Sequence, residues 1–243
     1  MPLTHTSELF IPATHPVLPG HFPGQPIVPG ALLLDTLLAS SAPANISSLQ
    51  RVRFSAAVQP GVALQVNWQA KGDDWRFSVS QAGREVCRGN ASASEFPTPL
   101  PSTATALPFI DADASYRKLP HSGAMRLLQQ IASDGEQRAW GMAEIRADNP
   151  LLRNGELSAW CGLEYAAQLL ACYGSLQQGE LRSTHIVMAR ALHSYQQTLS
   201  VGSKLYATIR ITSRQSDALS AEFLISNSNR TALCGGEFTA LFG

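Results

Sequence analysis

Two long apolar runs stand out from the alternating pattern of the rest of the chain. Ala31–Ala39 (ALLLDTLLA) is apolar enough to predict a helix buried on nearly all sides, and Ser158–Ser175 (SAWCGLEYAAQLLACYGS) predicts a second. Each run carries one charge, Asp35 in the first and Glu164 in the second. Burying a carboxylate costs several kcal/mol unless it is paired or neutralised. Each acid therefore predicts either a structural hydrogen bond or a functional site.

Shorter runs, in which apolar and polar residues alternate, predict strands in both halves of the chain. Turn signals separate these runs at Pro60-Gly61, at 72–74 and at Ala82-Gly83, and Asp134-Gly135 predicts a hairpin. The predicted strands are Glu8–Pro12, Leu49–Ala57, Val62–Ala70, Trp75–Ser80, Glu85–Ala93, Met125–Ile131, Ala139–Arg146, Ile186–Leu192, Leu205–Ser213, Ala218–Ser226 and Thr231–Leu241. Each half therefore combines one buried helix with an antiparallel meander.

The two halves repeat one pattern on either side of a proline-rich stretch. Residues 58–61 (VQPG) precede a strand in the first half as residues 199–202 (LSVG) do in the second, and the final strands share a Cys-x-Gly sequence. A period near half the chain indicates a duplicated unit. We therefore predict one unit at 1–95, a proline-rich linker at 96–110 and a second unit at 111–243.

Composition narrows the functional classes. The 243 residues are 44% hydrophobic, and 18 basic and 18 acidic residues give a formal net charge of zero, so nucleic acid is not expected as a partner. The chain shows no apolar run of about 18 residues and no signal-like start, so we expect no membrane span and a cytoplasmic protein. Since the four cysteines lack CxxC spacing, we expect reduced thiols and no metal site.

The loop before the first helix carries the most specific motif. Residues 19–39 read PGHFPGQPIVPGALLLDTLLA, in which glycines and prolines constrain the path of the loop around His21. The helix start after Pro29 leaves the N–H groups of Gly30 and Ala31 unpaired, where partial negative charge is stabilised. HFPGxPxxPG with an acid fourteen positions after the histidine resembles the hot-dog-fold dehydratases of type II fatty acid synthesis. The resemblance is close over 19–39 and looser over the flanking strands.

That resemblance implies an α+β double hot-dog fold. Each of two tandem units would wrap an antiparallel sheet around a central helix, and the units would pack as a pseudo-dimer. Such dehydratases remove water from 3-hydroxyacyl groups on acyl carrier protein, with a histidine from one subunit and an acid from the other. Carried onto this chain, His21 would face Glu164, and Gln168, one helical turn later, would orient the carboxylate.

The dehydration implied by the resemblance gives each of these groups a role and needs no cofactor. Neutral His21 would take the C2 proton because a histidine pKa lies near neutrality. Burial would raise the pKa of Glu164 and let it protonate the departing C3 hydroxyl. The N–H groups of Gly30 and Ala31 would receive the thioester oxygen.

A mirror site is expected to be incomplete. Pro150 stands fourteen positions before Glu164, so the second half lacks the histidine, and Asp35 has no equivalent partner. Asp35 could instead recruit His121 of LPHSGAMRLL, a stretch that resembles the LPHR segment of these enzymes. The alternative for His121 is a structural hydrogen bond at the start of a strand.

The second half also refines the resemblance. LPHxGxMxLL, the GLEYAAQ helix and the missing HFPG resemble the companion dehydratase-like subunit of aryl polyene pathways, and the first half resembles its partner subunit. An acyl thioesterase, a non-catalytic carrier-binding scaffold and a hydratase of coenzyme A thioesters are the alternatives. The histidine and acid pair favours the dehydratase. Acyl carrier protein with a phosphopantetheine-linked substrate is the expected partner, and further homo-oligomerisation stays open.

Overall fold

The first unit places one helix after its first strand and wraps it with the strands that follow. This computed structural model describes residues 3–43, 45–93, 106–178, 184–196 and 198–242. The elements of the first unit are β1 (Thr4–Leu9), α1 (Gly30–Ser41), β2 (Ser48–Phe54), β3 (Leu64–Lys71), β4 (Asp74–Gln81) and β5 (Arg84–Ser92).

The second unit repeats this plan with a longer helix and added short strands. Its elements are β6 (Ile110–Asp111), α2 (Asp113–Tyr116), β7 (Gln130–Ser133), β8 (Arg138–Glu144), β9 (Leu152–Arg153), β10 (Glu156–Ser158), α3 (Gly162–Gln178), β11 (Thr184–Ser194), β12 (Thr198–Ser200), β13 (Lys204–Arg214), β14 (Ala218–Asn227) and β15 (Ala232–Phe242). Two 3-10 turns, Gly123–Met125 and Ala159–Cys161, stand before β7 and before α3.

One antiparallel sheet runs through both units. Its strand order is β1-β3-β4-β5-β2-β11-β15-β14-β13-β8-β7-β6, and the pairing of β2 with β11, for example Val52 with Ala189, joins the units. A small sheet, β12-β10-β9, lies apart. Helix α1 packs against α3 and against the turn Ala159–Cys161. The predicted pseudo-dimer of two hot-dog units is thus one continuous structure.

Helix α1 is apolar because it is covered on most of its surface. Leu33, Leu34 and Leu37 are each at most 1% exposed. Burying a leucine side chain stabilises the fold by about 2 kcal/mol, so these three residues hold the helix against the sheet. The helix ends at Ser41 because Ala42, which precedes a proline, is extended.

The first predicted helix and most predicted strands are confirmed within a few residues, and the repeated turns are also present. Gly61 and Gly202 both have positive φ angles, 77° and 84°, just before β3 and β13. The hairpin at Asp134-Gly135 connects β7 to β8. The predicted linker lies largely outside the described residues, so the domain boundaries stay a prediction.

Three predicted bounds are wrong. The first strand lies earlier than Glu8–Pro12, because β1 pairs with β3 from Thr4 to Leu9. The second helix begins at Gly162, since the Ser158 hydroxyl accepts a hydrogen bond from Trp160 N and starts a 3-10 turn instead.

The strand predicted at Met125–Ile131 begins only at Gln130. The N–H groups of Leu127 and Leu128 donate to the side chains of Gln168 and Tyr116 and not to a neighbouring strand. Along this segment, side-chain acceptors thus take the place of the backbone acceptors of a neighbouring strand. The alternation of residue types in the sequence does not reveal this difference.

No helix among the described residues is long and apolar enough to cross a membrane. All four cysteines are buried and free.

Candidate active site

A cavity of about 370 Å³ lies between the two units. Its walls are largely apolar, and residues of both units carry the polar groups and aromatic rings that face it. These residues are His21, Phe22, Gly30, His121, Glu164 and His185. Two predicted site residues from different halves therefore share one cavity, as a hot-dog pseudo-dimer requires.

The loop before α1 fixes the orientation of His21. Phe22 and Gly24 have positive φ angles of 57° and 89°, which turn the loop tightly around the histidine. His21 is 5% exposed, and its Nδ1 lies 2.9 Å from the carbonyl oxygen of Ile27. Because a carbonyl only accepts, Nδ1 carries the proton and Nε2 keeps its lone pair. The neutral ring is thus prepared to accept a proton at Nε2.

Burial also keeps the His21 ring neutral. Desolvation lowers the pKa of His21, the neighbouring ring of His121 adds to this effect, and the carboxylate of Glu164 opposes it. A base with a lowered pKa is unprotonated at neutral pH and is ready to take a proton.

Glu164 lies in the first turn of α3, where a chain of hydrogen bonds orients it. Gln168 Nε2 donates to Glu164 Oε1 at 2.9 Å. Gln168 Oε1 accepts from Tyr116 Oη at 2.6 Å and from Leu127 N at 3.2 Å. Two donors on one side of the amide force its NH₂ group towards Glu164. The sequence indicated Gln168 through its spacing, whereas no motif pointed to Tyr116.

His121 completes the polar cluster of the cavity. Its Nε2 lies 3.5 Å from Glu164 Oε1, and its ring centre lies 5.7 Å from that of His21. The segment reaches this place because Ser122 N donates to Gly20 O at 3.0 Å, across the two units. A side chain on Gly20 would overlap Ser122 O, so this approach requires glycine. The structure therefore places His121 beside Glu164, whereas Asp35, the partner that the sequence offered as one possibility, contacts Arg153.

The electrostatics of Glu164 differ from the sequence-based expectation of a raised pKa. Burial does raise the pKa of Glu164, but the contact with His121, the nearby ring of His21 and the hydrogen bond from Gln168 outweigh it. The pKa of Glu164 falls to about 2, so the free protein holds a carboxylate there.

Asp35 has an arginine as its partner. Arg153 Nη2 lies 3.3 Å from Asp35 Oδ1, and the Asp35 side chain is only 4% exposed. Burial raises the pKa of Asp35, while Ser158 and Arg153 act in the opposite direction. Arg153 lies in the segment before Glu164 that corresponds to the His21 loop of the first unit. The mirror position therefore holds an ion pair between the units.

The start of α1 offers a donor to the cavity. Gly30 lines the cavity, and a β-carbon there would come within 2.9 Å of the Phe54 ring. The first hydrogen bond of the helix runs from Leu33 N to Pro29 O, so the earlier N–H groups lie outside that ladder. Ala31, also predicted to donate, is 1% exposed and is not among the cavity-lining residues.

Three side chains in the cavity are close enough to ligate a cation. One ligand atom each of His21, His121 and Glu164 lies within 4.8 Å of the others. Two imidazoles and a carboxylate suit divalent transition metals. The expectation that the site works without metal stays a prediction.

Each of the two units matches a known dehydratase family. The ApeI dehydratase family matches residues 3–90, and the ApeP dehydratase family matches residues 115–234. The chain is also 34% identical over 74 residues to the 3-hydroxyacyl-acyl-carrier-protein dehydratase FabZ of Chloroflexus aggregans. That match covers 26% of the chain and spans about half, 51%, of the relative's length.

Solved structures match the whole fold at low sequence identity. An N-terminal dehydratase from the difficidin assembly line has a TM-score of 0.78 at 15% identity, over 99% of this chain and 93% of that chain. The dehydratase domain of PpsC from Mycobacterium tuberculosis, in complex with C12:1-CoA, has a TM-score of 0.73 at 13% identity, over 100% and 97%. These neighbours establish the double hot-dog fold. Taken with the two family matches, they show that the chain belongs to the tandem hot-dog dehydratases, with an ApeI-like unit followed by an ApeP-like unit.

Proposed function

We propose that this chain dehydrates 3-hydroxyacyl thioesters on acyl carrier protein to trans-2-enoyl thioesters. The observation that carries the proposal is the meeting of His21 and Glu164, from different units, in one largely apolar cavity. The names of the matching families and of the FabZ relative support the same reaction class. ApeI-like and ApeP-like units together favour a role in aryl polyene or related fatty-acid-like biosynthesis.

The geometry assigns a role to each polar group around the bound thioester. His21 Nε2 takes the C2 proton, because Nδ1 is committed to Ile27. Glu164, oriented by Gln168, holds the C3 hydroxyl. The N–H of Gly30 stabilises charge on the thioester oxygen at the start of α1. Elimination of water by this route requires no redox cofactor.

The apolar walls suit an acyl chain. Ile27, Val28 and Leu33 of the first unit and Ala167 and Ala171 of the second line the cavity. They bury the chain and keep bulk water from the reacting atoms, which limits side reactions such as hydrolysis of the thioester. Carrier protein is the proposed donor because the FabZ relative is named for acyl-carrier-protein substrates.

Absorbance of the conjugated enoyl product tests the proposal. The wild type is compared with His21→Ala, Glu164→Gln and Asp35→Asn on a 3-hydroxyacyl-acyl-carrier-protein. We expect the first two changes to abolish turnover and Asp35→Asn to largely spare it, because Asp35 faces Arg153 and not the cavity.

The alternatives give different results in the same assay. Release of free carrier thiol without an enoyl product would identify a thioesterase. Faster turnover of the coenzyme A thioester than of the carrier thioester would identify a coenzyme A hydratase. No turnover with either substrate would identify a non-catalytic scaffold, and loss with Asp35→Asn but not with Glu164→Gln would place the site at the other carboxylate.

A further inference from the structure

His121 has features that its expected roles do not explain. The residue is 7% exposed and lines the cavity beside His21 and Glu164. Its Nδ1 is buried without a hydrogen-bond partner among the described residues. A structural histidine is normally held by hydrogen bonds, whereas the one polar contact described for this ring is Glu164 in the cavity.

The elimination also lacks an obvious proton donor. Glu164 Oε1 accepts a hydrogen bond from Gln168 Nε2 at 2.9 Å and faces His121 Nε2 at 3.5 Å, so this carboxylate oxygen is placed as an acceptor and not as a proton donor to a hydroxyl group. A hydroxide ion is a poor leaving group, so the departing oxygen needs an acid. His121 is the other titratable group in contact with Glu164 inside the cavity.

We propose that His121 is a catalytic residue that protonates the departing C3 hydroxyl, with Glu164 holding the His121 ring and the hydroxyl in place. This inference rests on the proposed dehydratase function and deepens it. The 3.5 Å gap between His121 Nε2 and Glu164 Oε1 is longer than a usual hydrogen bond. A hydroxyl oxygen can therefore lie about 3 Å from both atoms and contact the acid and the carboxylate together.

The step balances in atoms and electrons. The C2–H bond breaks, and its proton passes to Nε2 of His21. The electron pair of that bond forms the C2–C3 double bond while the C3–O bond breaks. The oxygen takes the proton from Nε2 of His121 and leaves as water. No oxidant or reductant takes part.

The same cluster returns the enzyme to its starting state. After elimination His21 is charged and His121 is neutral, so one proton must move from the first ring to the second. Glu164 stands between them, with the ligand atoms of all three side chains within 4.8 Å of one another. A carboxylate in contact with His121 and attracted to His21 can relay that proton.

Substitution of His121 by glutamine tests the donor role. Glutamine can still donate a hydrogen bond to Glu164 but has no proton to lose at neutral pH. We expect kcat on the 3-hydroxyacyl-carrier-protein substrate to fall by roughly 10²- to 10⁴-fold, the usual contribution of a general acid. KM should change by less than about threefold, because the residue acts on the transition state. An unchanged thermal unfolding midpoint confirms that the variant is folded.

A substrate that needs no acid separates catalysis from structure. In a 3-chloroacyl pantetheine thioester the leaving group is chloride, which departs without a proton. We expect His121→Gln to eliminate chloride at close to the wild-type rate, whereas His21→Ala, the matched control, stays inactive because C2 must still be deprotonated. A structural defect would slow both substrates equally.

The outcomes distinguish this inference from the function on which it rests. Wild-type turnover together with a fully active His121→Gln variant overturns the donor role alone. A variant that is slow on both substrates also overturns it and makes His121 structural. A wild type that does not eliminate water overturns the dehydratase function and the donor role together.

Discussion

Removing one hydroxyl group, that of Tyr116, tests whether the hydrogen-bond chain behind Glu164 supports catalysis. Tyr116 Oη donates to Gln168 Oε1 at 2.6 Å and accepts from Leu128 N at 2.9 Å. Burial raises the pKa of Tyr116 well above its usual value, so the hydroxyl keeps its proton at any assay pH. The substitution Tyr116→Phe leaves the ring in place and removes both bonds.

The structure gives the size of the effect. Loss of the bond to Gln168 costs about 1 kcal/mol, and the buried N–H of Leu128, left without an acceptor, costs a further 1–3 kcal/mol or so. We therefore expect the free energy of unfolding to fall by about 2–4 kcal/mol. Gln168 Oε1 then keeps only its 3.2 Å bond from Leu127, so the amide can rotate away from Glu164. We expect kcat to fall roughly tenfold, which corresponds to an increase of about 1.4 kcal/mol in the activation free energy when Glu164 is less well oriented.

Urea unfolding followed by tryptophan fluorescence gives the stability change, and enoyl absorbance gives kcat. Tyr173→Phe is the matched control, because this tyrosine is also 1% exposed and donates at 2.8 Å to Glu136 O, away from the cavity. We expect the control to lose stability and to keep full kcat. Equal losses of kcat in the two variants, or none in Tyr116→Phe, would refute the proposed role of the hydrogen-bond chain.

Three further predictions concern pH, packing and metal. Folding lowers the pKa of His21 from 6.5 and that of Glu164 from 4.5 to about 2, so both contribute stability above these ordinary values and lose it as the pH falls. The thermal unfolding midpoint should therefore fall as the pH drops below 6.5, and His21→Gln should flatten this fall just below pH 6.5; an unchanged slope contradicts the His21 assignment. Gly162→Ala should lower stability by about 1–3 kcal/mol in urea unfolding, because its β-carbon would overlap Cys234 Sγ, and a variant as stable as wild type shows that the sulfur can move. Prolonged dialysis against a chelator should leave the rate of enoyl formation unchanged, and a loss restored by one divalent metal would replace the metal-free mechanism.

The elements with a strong local signal were predictable from sequence. Helix α1 is covered nearly all round, so its apolar run determines it, and the loop with His21 has a spacing of glycines and prolines that few other structures share. The four-residue spacing of Glu164 and Gln168 predicted that both lie on one face of α3, and the structure brings Glu164 to the cavity with His21 while Gln168 donates to it from behind. These features were predictable because each depends on contacts within a single element or on a single sequence motif.

Two partners of the buried acids, His121 of Glu164 and Arg153 of Asp35, were not predictable, because these pairs depend on contacts between distant segments. His121 reaches Glu164 only through the close approach of Ser122 to Gly20, 102 positions earlier in the chain. The pKa of Glu164 was expected in the wrong direction for the same reason, since burial is visible in a sequence pattern and a second imidazole is not. Tyr116 gave no signal at all because a four-residue helix has no periodicity to detect.

The ion pair of Arg153 with Asp35 has a consequence for how the two units can change. In a dimer of two identical subunits, every substitution appears in both subunits. An arginine introduced beside the acid of one site would therefore also appear beside the acid of the second site. In a single chain with two unlike halves, an arginine can lie beside one acid without appearing beside the other. Asp35 instead pairs with Arg153, so this ion pair connects helix α1 of the first unit to the second unit. Two unlike units in one chain thus allow one buried carboxylate to hold the units together while the other, Glu164, faces the cavity.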